Sequence, residues 1–257
     1  MKKMNDTNIV SNQYKDTSKL DIRIMIHKKY SSNKMGFAKW IYSNYKFERD
    51  MNILELGCGT GEMWKDNLSV LNGAKIILTD FSEAMVNRTK ELLNESKNIS
   101  YNIVNIEEIP YEEKRFDAVI ANMMLYHVKN IPKALSEVNR VLKDKGVFYC
   151  ATYGENTILN SVCKLLEMES PKNDWVFTLQ NGYEILSPYF TDVKRLDYID
   201  SLEITDIDDL IDYLDSLNEM HETLNLDKIT LKNKLQEKMI KGILSIPKEY
   251  GMFICKK

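Results

Sequence analysis

Three glycines at alternate positions, Gly57, Gly59 and Gly61, follow the apolar run Ile53-Leu54-Glu55-Leu56. A second apolar run, Ile76-Ile77-Leu78-Thr79, ends in Asp80, 23 residues beyond Gly57. Glycine is the residue for backbone that must pass close to a ligand, where any side chain would collide. An ionised carboxylate offers only acceptors, which suits the paired hydroxyls of a ribose. The layout is that of a nucleotide-type cofactor site at the carboxyl edge of a parallel sheet. The spacing then narrows the cofactor. Dinucleotide sites use G-x-G-x-x-G, with the last glycine beside a pyrophosphate. Here that slot holds Glu62, which would repel a pyrophosphate, and the third glycine comes one residue early. A ligand with a ribose and no phosphate fits.

Ile53 to Gly61 resembles, without gaps, the first motif of the class I S-adenosylmethionine-dependent methyltransferases, (V/I/L)-(L/V)-(E/D)-x-G-x-G-x-G. The resemblance implies S-adenosylmethionine as cofactor, with S-adenosylhomocysteine as product. It places the backbone of Gly57, Cys58 and Gly59 along the methionine part. Glu55 matches the motif's acid, which helps hold the ammonium end; a carboxylate capping the turn's own amides is a compatible reading. Asp80 meets the ribose, and Phe81 and Met85 flank the adenine. After the third strand the family commonly carries an acid in a D-x-E-x-L-P segment that accepts from the adenine amine. Here the segment reads Asn105-Ile106-Glu107-Glu108-Ile109-Pro110, so Asn105 stands where the acid usually stands. An amide oxygen still accepts but loses the charge-assisted part of the bond. The backbone amide of Ile106 is expected to meet the ring nitrogen. In related enzymes a leading helix closes over the methionine end, which makes Tyr30 a further cofactor contact.

The segment after the fourth strand meets the acceptor in this family. It reads Asn122-Met123-Met124-Leu125-Tyr126-His127-Val128. Asn122 matches the first position of the (D/N)-P-P-(Y/F) motif of nucleobase amino-methylating enzymes, but Met123, Met124 and Leu125 do not continue it. No Pro-Cys pair exists, which removes the usual cytosine-ring nucleophile. What remains resembles the small-molecule branch, which includes ubiquinone and menaquinone C-methyltransferases. His127 is the candidate general base, because an imidazole titrates near neutral pH. His27 and His221 have weaker claims to that role. No His, Asp, Glu or Cys spacing points to a metal.

These residues need a scaffold. From Asn52 the chain alternates strand and helix, the signature of a doubly wound parallel sheet. Strands are expected at 53–56, 76–79, 100–104, 116–121 and 147–152, nearly all apolar because helices cover both faces. Ser82 caps a helix running to about Glu95 with Ala84, Met85, Arg88 and Leu92 at helical spacing. A further helix over 131–143 is expected to end at Gly146. Helices follow at 156–169 and 178–187. The family outline adds a sixth strand at 193–204 and an antiparallel seventh at 250–256, inserted between five and six. The fold class is thus α/β: a Rossmann-like, doubly wound, seven-stranded and mostly parallel sheet, with an N-terminal helical cap and a helical insertion between strands six and seven.

The expected organisation is an arm and helical cap over 1–48 and a cofactor-binding core over 49–257, with the insertion at about 206–244. The cap presents Leu20, Ile24 and His27 on one helix face, and Phe37, Trp40, Ile41 and Tyr45 on another. The insertion puts Leu210, Ile211, Leu214 and Leu217 on one face and Asp208, Asp209, Asp212 and Asp215 on the other. That is either a solvated acidic face or a lid over the acceptor.

With 257 residues the chain can bury a full core. A net charge of -3 disfavours a general nucleic-acid binder, which needs a basic surface. The start of the chain lacks the apolar stretch of a signal peptide. No apolar run approaches the roughly 20 residues of a membrane helix. Four cysteines without C-x-x-C pairing read as free thiols of a cytoplasmic protein. A small-molecule acceptor is the expected partner, with neither membrane nor nucleic acid. A cofactor-binding regulatory protein without turnover is the alternative, followed by an RNA or protein methyltransferase.

Overall fold

A computed structural model describes residues 17–94, 96–171, 175–217 and 224–257, with backbone alone for 17–21. Its elements in chain order are α1 (Thr17–Tyr30), α2 (Phe37–Ser43), β1 (Asn52–Leu56), β2 (Lys75–Asp80), α3 (Glu83–Leu93), β3 (Ile99–Ile103), β4 (Phe116–Ile120), α4 (Ile131–Val141), β5 (Leu142–Tyr153), α5 (Ile158–Leu165), α6 (Gly182–Leu186), β6 (Asp192–Ile204), α7 (Ile207–Ser216), α8 (Lys228–Glu237) and β7 (Leu244–Lys256). The strands form one sheet in the order β3-β2-β1-β4-β5-β7-β6. β1 pairs in parallel with β2 and β4, as do β2 with β3 and β4 with β5. β7 runs against its neighbours: Thr191 N–H donates to the Lys256 carbonyl, and Lys257 N–H to the Gly146 carbonyl. The order reverses between β1 and β4, and crevices at such switch points, outside the strands' carboxyl ends, are where ligands bind.

The chain divides into two compact units. Of the described residues, the sheet unit holds those within 37–153, 175–198 and 251–257, and the helical unit those within 17–36, 154–171, 199–217 and 224–250. α2 therefore belongs to the sheet unit. The reason is its apolar face: Ile41 and Tyr42, with Tyr45 and Phe47 beyond, pack into the cluster that covers Ile53, Ile76 and Leu78. On the other side of the sheet α4 buries Ile131, Ala134, Leu135, Val138 and Val141, a stripe at helical spacing. Each large aliphatic side chain so buried contributes about 1.5–3 kcal/mol. Asn130 caps α4 by accepting from Lys133 N–H at 3.1 Å.

Several expected elements differ. α4 ends at Val141 and β5 begins at once, so Gly146 lies within β5. The β4–β5 register jumps there, from Phe116↔Leu142 to Ala118↔Val147. A Cβ on Gly146 would sit 2.9 Å from the Lys143 carbonyl oxygen, so glycine serves the irregular turn of strand rather than a helix end. β3 is exposed at three of five positions because it is the sheet edge. β7 starts at Leu244, not Tyr250, and the insertion's helices stop at Glu237. The buried face of α3 is Val86, Thr89 and Leu93, while Ala84 and Arg88 face water.

In the helical unit the buried positions of α1 include Ile26 and Tyr30, whereas Ile24 is exposed. Leu20 lies in the segment for which the backbone alone is described. Leu210, Ile211 and Leu214 of α7 are buried and Leu217 is partly so, as their spacing predicts. Three of the four aspartates opposite are engaged: Asp209 pairs with Lys29 at 2.6 Å, Asp208 with Lys232 at 2.6 Å, and Asp215 with Lys228.

Candidate cofactor site

All three glycines of the turn after β1 have positive φ: 75° at Gly57, 59° at Gly59 and 75° at Gly61. The reasons differ. A Cβ on Gly57 would lie 2.9 Å from Met124 Cγ, and one on Gly61 would lie 2.7 Å from Thr89 Cγ2. Those two glycines let the turn approach the segment after β4 and helix α3. A Cβ on Gly59 would meet nothing within 4 Å. Gly59 therefore borders open space, as backbone beside a ligand must. The turn is fixed by its own bonds: Cys58 N–H to the Thr79 carbonyl (2.8 Å), Gly61 N–H to the Cys58 carbonyl (3.1 Å) and Thr89 Oγ1 to the Gly59 carbonyl (2.8 Å). Burial pushes the Cys58 thiol well above its usual range, so it is no nucleophile.

Asp80, at the end of β2, is buried. Its Oδ2 accepts from Gly59 N–H (3.0 Å) and its Oδ1 from Ser82 N–H (2.9 Å). A carboxylate has about four lone-pair sites, so acceptor capacity remains for an incoming hydroxyl. Burial raises its pKa, and the amides of Ser82, Gly59 and Phe81 oppose that rise. Phe81 is 50% exposed, and Met85 is half-buried one turn into α3. These two apolar groups border the Asp80 end of the turn.

Glu55 does not cap the turn's amides. Its Oε2 accepts from the indole N–H of Trp64 at 2.5 Å, and both residues are buried. Burial raises the Glu55 pKa to about 7; the Trp64 bond opposes the rise and the Asp80 charge adds to it. Asn122, at the end of β4, donates from Nδ2 to the Tyr45 hydroxyl at 2.6 Å. Among the described residues its Oδ1 is buried without a partner, and so is the Tyr42 hydroxyl oxygen. Trp64, Tyr45 and Tyr42 were not legible as site residues, because Tyr42 and Tyr45 arrive from before β1 and Trp64 is an ordinary core aromatic by sequence. A buried carboxylate needs a donor, and Trp64 was the nearest indole in sequence; that was the one signal available.

Asn105 is exposed, and its Oδ1 accepts from Glu107 N–H at 2.9 Å, closing a local turn. The Ile106 side chain is buried. Tyr30 is in the helical unit, buried, with its hydroxyl donating to Asp209 Oδ2 at 2.5 Å. His127 ends a short 3-10 turn, with its ring 4.5 Å from that of Tyr126 at 62°. Tyr126, Tyr153 and Trp175 cluster with centroids 5.4–5.7 Å apart and planes within 26–37° of one another. His27 lies in the helical unit; burial, then the Lys248 charge, lowers its pKa to about 3 while Asp200 opposes. His221 lies outside the described residues.

The fit to S-adenosylmethionine rests on four features: open space at Gly59, spare acceptors on Asp80, the exposed ring of Phe81 and the orphaned oxygen of Asn122. The fold and this site are similar to those of the class I S-adenosylmethionine-dependent methyltransferases. Residues 54–150 match the family described as a methyltransferase domain. A mitochondrial arginine hydroxylase of Mus musculus is 31% identical over 129 residues, covering 50% of this chain and 36% of that protein. A ubiquinone/menaquinone biosynthesis C-methyltransferase of Rickettsia prowazekii is 33% identical over 111 residues, covering 40% of this chain and 45% of that protein. These matches span less than half of either relative. The solved YcgJ protein of Bacillus subtilis shares the fold, with a TM-score of 0.61 and 15% identity over 86% of this chain and 97% of that one.

Proposed function

We propose that the chain transfers a methyl group from S-adenosylmethionine to a small organic acceptor, leaving S-adenosylhomocysteine. The observation that carries this reading is the turn after β1, where Gly59 borders open space beside an Asp80 with acceptor capacity to spare. When bound, the cofactor supplies a methyl already activated on a sulfonium, so the protein needs to orient, dry the site and manage one proton. Orientation can supply several kcal/mol, up to roughly 7–11 in favourable systems. Asp80 accepts from the ribose, and Phe81 and Met85 flank the adenine. The N–H of Ile106 and the remaining lone pair of Asn105 Oδ1 meet the adenine edge. Glu55 and the orphaned Asn122 Oδ1 face the ammonium end, along the backbone of Gly57, Cys58 and Gly59. His127 takes the acceptor's proton. The trio of Tyr126, Tyr153 and Trp175 supports an acceptor with an apolar body, and the likeness to a quinone C-methyltransferase points the same way. Four cysteines without a disulfide support a reducing, cytoplasmic compartment.

Calorimetry with S-adenosylmethionine and S-adenosylhomocysteine, with NAD as control, tests the cofactor. Tight NAD binding and silence toward the other two would end the reading. His127→Ala is expected to lower turnover about a hundredfold or more with cofactor affinity intact; unchanged turnover would make the residue structural. A second reading, cofactor binding without methyl transfer, is favoured by one observation: a relative matching half of the chain is named a hydroxylase. Methylated product from any acceptor in a metabolite screen would dismiss it.

A further inference from the structure

The amino edge of the parallel sheet, opposite the edge that carries Gly57 and Asp80, holds two neighbouring cavities. The second, about 170 Å³, is lined by both charges, and its acids are used: Asp117 holds Lys143 at 2.8 Å and Asp144 holds Lys114 at 2.9 Å. The first, about 210 Å³, is lined by Lys75, Lys97 and Arg115 and, among the described residues, by no carboxylate. None of these three cations forms an ion pair among the described residues. Asn52, Asn98 and Ser100 also line it.

Arg115 is the telling member. Its guanidinium lies over the ring of Tyr111 at 4.7 Å and over that of Phe116 at 5.5 Å. Aromatic faces occupy the flat side of the group and leave its in-plane N–H donors unspent. An arginine so held, beside two lysines and the polar residues Asn52, Asn98 and Ser100, is a fixed fork for a planar pair of anionic oxygens. Three like charges around one concavity also repel one another, a cost that a bound polyanion removes.

We propose that this cavity is a second binding site, for the diphosphate group of a small molecule. Two linked phosphates supply two to three negative charges, which matches three cations, and the cavity holds more than a single water-sized occupant. The site is independent of the cofactor site and of the acceptor.

Calorimetric titration of the full chain with sodium pyrophosphate, and separately with sodium sulfate, tests it. Saturable one-to-one binding of pyrophosphate is expected, with sulfate weaker by roughly tenfold or more. Arg115→Gln, and the double change Lys75→Gln with Lys97→Gln, are each expected to weaken pyrophosphate by about tenfold while the thermal unfolding midpoint stays put. Amide NMR shifts on titration are expected at residues 52, 75, 98–100 and 115. No saturable binding overturns the proposal, as do equal affinities for the two anions or affinity unchanged in both variants. Shifts confined to Gly57–Gly61 would place the anion at the cofactor edge and overturn it too. An RNA oligonucleotide that binds far tighter than pyrophosphate and competes with it would replace a small-molecule site with a nucleic-acid surface.

Discussion

The two units both bury ionisable groups, and they treat them in opposite ways. In the helical unit Lys248 and Asp200 form an ion pair whose side chains are 2% and 0% exposed. Asp200 Oδ1 also accepts from the Ser32 hydroxyl (3.1 Å), Asn33 N–H (3.0 Å) and Ser201 N–H (2.9 Å). Lys248 donates to Ser31 Oγ at 2.9 Å and lies 3.5 Å from His27 Nδ1. Burial pushes Asp200 up, but Lys248 and the surrounding donors outweigh it and hold the carboxyl below its usual range. In the sheet unit Glu55 has one indole donor and a pKa near 7, and Asn122 Oδ1 and the Tyr42 hydroxyl oxygen have none. Buried charge that is saturated by its own chain is architecture. The helical unit also buries Asn160 Oδ1 and Ser161 Oγ without partners among the described residues, so an orphaned atom alone marks no site; what sets Asn122 apart is its place at the end of β4, near the glycine turn, and each such atom carries a standing cost to stability.

The largest expected effect breaks the saturated side. Lys248→Met leaves Asp200 buried and unpaired and should destabilise the protein by about 3–5 kcal/mol, read by denaturant unfolding. A loss under 1 kcal/mol would mean the pair is not desolvated. Next comes Glu55, whose folded-state pKa lies above its unfolded value of 4.5. The folded state then holds the proton longer, so this group's contribution is full below about pH 4.5, falls as pH rises, and is lost by about pH 7. The loss is about 3 kcal/mol at most. Glu55→Gln should abolish that part of the pH dependence, and in the parent protein S-adenosylmethionine affinity should rise as pH passes through 7. Identical stability–pH curves for the two would refute the assignment.

Asp80→Ala should weaken cofactor binding by about 1–3 kcal/mol, the worth of hydrogen bonds to a charged group. Unchanged affinity in calorimetry would remove Asp80 from the site. The smallest stability effect, and the sharpest test of the comparison, is Asn122→Ala. It removes one hydrogen bond and one orphaned oxygen, so stability should move by about 1 kcal/mol or less while cofactor affinity falls. A large loss of stability with affinity intact would make Asn122 structural.

Much of the site was legible because it is local. Gly57 to Gly61, Asp80 and Phe81 lie within 25 residues, and the tight turn with positive φ at its three glycines and the carboxylate at a strand end follow from that stretch. Strand cores were legible for the same reason: unbroken apolar runs mean burial on both faces. Misreadings arose where pattern had two solutions. Ile24 fell on the helical stripe with His27, yet α1 buries Ile26 and Tyr30. Gly146 matched a helix stop and is instead a strand irregularity, because only strand pairing distinguishes the two. The local turn that Asn105 closes by accepting from Glu107 N–H is a further feature that the family pattern did not announce.

By itself the sequence determined the class of fold, the turn that makes room for a cofactor and the departure from the dinucleotide motif at Glu62, since each depends on residues close in the chain. Tertiary structure alone decided what faces Glu55, that Asn122 keeps an empty acceptor, that Lys248 finds Asp200 and that three cations share one cavity. Those facts depend on burial and on partners brought together from distant segments, and burial is a property of the packed chain rather than of any stretch of it.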